Sequence, residues 1–162
     1  MELVSGLGFG MDIVADDEII YRCIFYGRDW YLIEADRVRI SSQAFSDRNQ
    51  MPSVDRATLQ NHNPKQSQRN PEDGVLSLVV ADIRQIDSIQ QLDAKGNLVQ
   101  TYKIDVVADP AVGNLAHAEV RPNPKYQTKS VFRKLQERLA ILAMQRIEKH
   151  GWDILPSDLR SD

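Results

Sequence analysis

The sequence predicts an α+β fold: a small mixed or antiparallel sheet with a long C-terminal amphipathic helix packed on it. Three observations carry this expectation. Short runs rich in β-branched and aromatic residues recur between residues 19 and 120, separated by turn-forming residues. One segment near the C-terminus repeats its apolar residues at three- and four-residue spacing, the period of a helix. The chain of 162 residues is 42% apolar and 27% charged, which suits one domain with its own core.

Taken in order, residues 1–18 are expected to form a mobile N-terminal arm, leaving 19–162 as a single domain. Gly6, Gly8 and Gly10 are costly to order and bring no side chain to pack. They also lack the spacing and the strand–helix context of a dinucleotide fingerprint. Residues 19–25 (Ile-Ile-Tyr-Arg-Cys-Ile-Phe) predict the first strand, residues 30–33 continue the apolar theme, and 38–40 alternate as a short strand. Residues 46–74 turn polar and hold three prolines, so a long loop is expected there. Within it, 61–73 contains no aliphatic or aromatic residue, which predicts exposure and mobility. Residues 75–80 form a near-continuous apolar run, as in a strand buried on both faces.

Asp82 is placed to cap a short helix through Ile86. Residues 87–93 and 98–107 predict a hairpin across the turn 93–97, with Asp109 and Pro110 ending it. Residues 116–120 predict one more strand. The helix is expected over 130–150, with Thr128 or Ser130 as N-cap, Gly151 as stop and His150 complementing the C-terminal dipole. Its stripe is Phe132, Leu135, Leu139, Leu142, Ala143 and Ile147.

Several function classes drop out early. The lone Cys23 allows no internal disulfide and suits a reducing compartment, and no basic-then-apolar leader opens the chain, so a cytoplasmic location is expected. Cys23, His62, His117 and His150 lie too far apart in sequence for a zinc-finger or HExxH spacing, so no metal site is expected. There is no G-x-S-x-G elbow or phosphate loop, and Cys23 reads as a small buried hydrophobe. The net charge of −3 hides an asymmetry: residues 121–150 hold eight Lys or Arg against two acids. Such a segment suits a phosphate-bearing partner, an acidic protein surface, or simply solvent. Lys129, Arg133, Lys134 and Arg138 are its candidate partner-binding residues.

Two constellations could carry chemistry. Asp105 or Asp109, followed by Glu119 and Arg121, resembles the core of metal-dependent restriction-type nucleases, with arginine where those enzymes usually carry lysine. Tyr21 and Arg22, then Arg37 and Arg39, then Ser41 and Ser42, then His117 and Glu119, loosely resemble ADP-ribosyltransferases and RES-type NAD-degrading toxins. That resemblance implies an arginine on the NAD pyrophosphate and a carboxylate on a ribose hydroxyl. Here HxE stands where such enzymes have ExE or QxE. Arg22, Ser41, Ser42, His117 and Glu119 are therefore the candidate ligand-binding residues, with a buried polar network as the alternative. NAD is a cofactor expectation only under that resemblance; otherwise none is expected.

The ordered string Tyr21-Arg22, Ser41-Ser42-x-Ala44-Phe45, Ser53-Val54-Asp55, Asp109-Pro110 and Asn114-x-Ala116-His117-Ala118 resembles a group of small bacterial proteins sharing these motifs in this order. The likeness spans about residues 21–120. It implies a compact bacterial domain and no particular activity. The expected function is an interaction or accessory protein, its partner another protein, with the NAD-binding enzyme and the nuclease or nucleic-acid-binding protein as alternatives.

Overall fold

In the computed structural model, which describes residues 13–35 and 37–160, strand follows strand for most of the chain before one long helix closes it. β1 (Ile19–Ile24), β4 (Ser53–Arg56), β5 (Gly74–Val79), β8 (Lys103–Ala108) and β9 (His117–Asn123) make a five-stranded sheet in the order β5-β1-β4-β9-β8. Every neighbouring pair is antiparallel. Two separate hairpins flank it: β2 (Tyr31–Glu34) with β3 (Arg37–Ile40), and β6 (Gln90–Leu92) with β7 (Leu98–Thr101). The helices are α1 (Val80–Arg84) and α2 (Lys129–His150), and the 3₁₀ turns include η1 (Ser42–Phe45), η2 (Ala57–Gln60) and η3 (Pro64–Ser67).

Strand alternation separates the sheet into an apolar and a polar face. Ile20 and Ile24, together with Leu76, Leu78, Val54, Ala118, Val120, Ile104 and Val106, belong to the main core, which includes Leu135, Leu139 and Ala143 of α2. The opposite parity carries Tyr21, paired with Asp55, which is in turn paired with His117. Ser53 and Glu119 follow on the same side. That polar face, sheltered in part by η3, is where a site can form.

The helix begins at Lys129 and stops at Gly151, whose φ of +78° suits glycine and whose amide bonds Ile147. Phe132, Leu135, Leu139 and Ala143 are buried as the stripe predicts, Leu142 and Ile147 are half-buried, and Val131, Gln136 and Ala140 join them. Thr128 is the N-cap residue, but its hydroxyl bonds the Ser130 hydroxyl and caps no amide. β5 is a sheet edge that is nonetheless buried, because residues 153–154 bond Val75 and cover that edge.

Other expectations change. The polar stretch 46–74 is no continuous loop: it supplies β4, the central strand of the sheet. Its single apolar residue, Val54, left no alternation for a periodicity argument to find. Within 61–73, Ser67 and Asp73 are buried, tied down by Asp55 and Gln60 and by the amides of Tyr26 and Asn70. Polar bonds order this segment where apolar burial does not. The predicted strand 98–107 is two strands, broken at the fully buried Tyr102, whose amide bonds Ile89. Asp82 lies in the first turn of α1, behind Val79 as N-cap.

Of the expected arm, residues 1–12 and the three glycines lie outside the described residues. Residues 13–18 are docked: Val14 is buried, Asp16 bridges Arg84 at 2.7 Å, and Glu18 bridges the buried Arg56 at 2.8 Å.

Candidate functional site

Above the polar face lies a cleft of about 910 Å³, within the range of small-molecule sites. Its floor is β1 and β4, its roof η3 and Arg69, and its sides the 46–48 segment, Arg28 and the 114–117 segment. Four arginines (Arg22, Arg28, Arg48, Arg69) line it against two aspartates, Asp47 and Asp55.

Arg22 sets the geometry. Only 8% exposed, its Nε donates to the Ala44 carbonyl at 3.0 Å, one terminal nitrogen to Ser53 at 2.8 Å and the other to Ser46 at 2.9 Å. Its guanidinium also lies 5.4 Å from the Trp30 ring centre and 5.9 Å from that of Phe45. No carboxylate among the described residues forms a salt bridge with it; its partners are backbone carbonyls. Burial pulls its pKa down to about 10, opposed by Asp47, so it stays charged at neutral pH. Two of its five N–H groups make none of these bonds.

Asp55 ties the roof and one side to the floor. It accepts from the Ser67 hydroxyl at 2.7 Å and from the Asn114 amide at 2.9 Å. Beside it, His117 directs Nδ1 to Asp109, 2.9 Å from the carbonyl and 3.3 Å from the carboxylate. Cys23 also faces the cleft, half-buried rather than part of the core, with Sγ 3.7 Å from Asp73. Burial pushes its thiol up to about 11, so it is no thiolate nucleophile at neutral pH.

The rim arginines differ from Arg22. Arg28 stacks over Phe25, at 4.8 Å, and lies 5.7 Å from the Trp30 centre; these two rings stack on each other at 4.6 Å. Arg28, Arg48 and Arg69 are exposed, and no carboxylate among the described residues pairs with any of them. Three unneutralised guanidinium groups around one concavity make an electropositive mouth over a polar floor.

Of the residues nominated from sequence, Arg22 and His117 come together in this cleft. Ser41 and Ser42 line a different one, against Ala140 and Met144 of α2, where the Ser41 hydroxyl accepts from the Gln43 amide to cap η1. Glu119 is buried and accepts two bonds from Arg121, at 2.7 and 2.9 Å, away from the cleft lining. Asp105 bridges Arg84. Among the described residues, no group of three or more His, Cys, Asp or Glu is arranged to hold a metal ion.

The basic residues of α2 are differently placed. Lys134 donates to the Gln90 carbonyl of β6, Arg138 is exposed, and Lys129 and Arg133 line a small third cleft. Arg28, Arg48, Asp55, Ser67, Arg69 and Asn114 went unnominated. Asp55 and Asn114 belong to the ordered motifs, and their joint appearance there was the usable signal. The three arginines and Ser67 sit in aperiodic polar segments without one.

No family model, curated protein or solved structure matches the chain.

Proposed function

We propose that the protein is a binding module for a small phosphate-bearing ligand of nucleotide size, held in the cleft over β1 and β4. The carrying observation is the set of Arg28, Arg48 and Arg69, exposed around one concavity with no carboxylate among the described residues pairing them. Guanidinium groups suit phosphate because two parallel N–H donors match two of its oxygens. Arg22 adds a fixed positive charge at the floor, oriented by three carbonyls. Asp55, Ser67, Asn114 and His117 offer hydrogen-bond partners of both signs for a sugar or base. This keeps the nucleotide-like ligand suggested by the resemblance to NAD-using enzymes, but moves the binding residues from Ser41, Ser42 and Glu119 to the arginine rim. The single cysteine and the absence, among the described residues, of a helix long and apolar enough to cross a membrane fit a cytoplasmic setting.

Thermal unfolding with ADP, adenosine and inorganic phosphate tests the reading. A ligand that binds only the native state at a hundredfold over its Kd adds about 2.7 kcal/mol, a shift of several degrees. ADP is expected to raise Tm, phosphate to raise it less and adenosine least. Equal, negligible shifts for all three contradict it.

A second reading, as an interaction or accessory protein, is favoured by the β6–β7 hairpin. Leu92, Leu98 and Val99 are about half exposed or more on its short strands. Replacing Leu98 and Val99 by Asp is expected to remove a partner retained by wild type in a pull-down. Retention by both proteins contradicts this hairpin surface.

A further inference from the structure

The cleft does not end at its rim. A smaller cleft of about 330 Å³ lies beyond the 46–48 segment, and the two share Ser46, Asp47 and Arg48 as a common wall. Lys129 and Arg133, one turn apart at the start of α2, stand on its far side. Both are exposed, and neither forms an ion pair among the described residues. The carboxylate on the shared wall, Asp47, accepts from the Asn49 amide at 2.9 Å and lies 3.5 Å from the Ser53 hydroxyl. A basic track therefore runs from Arg28 and Arg69, over Arg48, to Lys129 and Arg133. It passes from one cleft into a second.

Building on the proposed phosphate-binding cleft, we propose that the natural ligand is a single-stranded nucleic acid, lodged in the cleft at one nucleotide and continuing over residues 46–48 onto α2. Two features favour a nucleic acid over a bare polyanion. Arg28, layered on Phe25 and Trp30, presents a guanidinium plane of the kind on which unpaired bases stack. The cleft floor offers donors and acceptors that an inorganic chain would leave unused. The sequence asymmetry also gains a partial explanation. Lys129 and Arg133 are the part of the basic segment that borders the track, whereas Lys134 is engaged by the Gln90 carbonyl.

The test is fluorescence anisotropy with a labelled oligothymidylate of about eight residues, alongside ADP binding by calorimetry. It compares wild type with the double variant Lys129→Gln, Arg133→Gln. Both side chains are exposed, so the variant keeps its fold, checked by its melting curve. Wild type is expected to bind the oligonucleotide more tightly than ADP. The variant is expected to lose about tenfold in oligonucleotide affinity while ADP affinity stays within about twofold. Its log K against log salt slope should become shallower by roughly 1.4, since each phosphate contact on a single strand contributes about 0.7. Unchanged oligonucleotide binding in the variant, with ADP still bound, overturns the extended track and leaves the cleft intact. Loss of both ligands in wild type overturns the cleft as well. Displacement of the oligonucleotide by inorganic polyphosphate as effectively as by unlabelled oligonucleotide overturns the nucleic-acid assignment.

Discussion

Arg22 holds three carbonyls from two segments that are remote from it in sequence, and this gives it a cost when removed. Arg22→Ala leaves the carbonyls of Ala44, Ser46 and Ser53 without that donor at a site 8% exposed. Each unsatisfied buried acceptor costs about 1–3 kcal/mol; two of the three are only part-buried, so a total loss at the low end, about 3–5 kcal/mol, is expected in a denaturant titration, and a loss under about 1 kcal/mol contradicts the network. Arg22→Lys should recover only part, because one ammonium cannot serve three divergent acceptors as the planar fork does. Glu18 sets an acid limit. Burial raises its pKa, but bonds from Arg56 and the Ala15 amide outweigh this and hold it below its ordinary 4.5. A depressed carboxyl pKa means stability that is present above the unfolded value and lost as pH falls through the folded one. Glu18→Gln should therefore flatten the fall in stability below about pH 4.5, read as the denaturation midpoint against pH; an unchanged acid limb contradicts it. Little of this was legible in sequence. Arg22 stood out as a cation in an apolar run, but its carbonyl partners arise from the turn at η1 and from β4, and backbone acceptors carry no residue signature.

α2 and η3 are held by opposite means. Leu139 is fully buried in the stripe against the sheet, so Leu139→Ala is expected to cost about 2–5 kcal/mol; a loss under about half a kilocalorie would place that face outside the core. The roof element η3 buries no apolar residue; its buried residue is Ser67, whose hydroxyl meets Asp55 at 2.7 Å and Gln60 at 3.0 Å. In wild type, trypsin is expected to cut slowly at Lys65 and Arg69 despite their exposure, because the backbone between them is pinned. Ser67→Ala should speed cleavage at both sites, and equal rates in the two proteins contradict the clamp. The contrast explains which elements the sequence announces. The helix was legible because its packing is apolar and periodic over 22 residues. β4 was not, because Ser53, Asp55 and Arg56 spend their side chains on polar partners, and four residues with one apolar member carry no period. The hairpin expected at 87–107 was half right for a similar reason: Tyr102 looks like one more strand residue, yet it is the corner where the chain leaves β7 for β8.

Across the whole molecule, the two faces of one sheet divide the work. The apolar face and α2 supply the core, which frees the polar face to carry Asp55, His117 and the cleft. The ordered motifs meet around that cleft: Arg22 bonds the carbonyls of Ala44 and Ser53, Asn114 bonds Asp55, and His117 turns to Asp109. Their order was visible in the sequence, but their convergence required the strand order β5-β1-β4-β9-β8, which brings residues 21, 55 and 117 side by side, next to Arg22. The formal charge of −3 conceals the result, because the acids at Glu18, Asp105 and Glu119 neutralise arginines elsewhere while Arg28, Arg48 and Arg69 at the mouth have no carboxylate partner among the described residues. The most direct measurement is a calorimetric titration of ADP into wild type and into the variant carrying Gln at positions 28, 48 and 69. These side chains are exposed and the substitutions spare the core, so both proteins should melt alike. Saturable binding by wild type with a Kd below about 1 mM, an affinity of about 4 kcal/mol or better, and its loss in the variant is the predicted result. Absence of binding by wild type at low salt, or equal binding by both proteins, contradicts an arginine-built phosphate site.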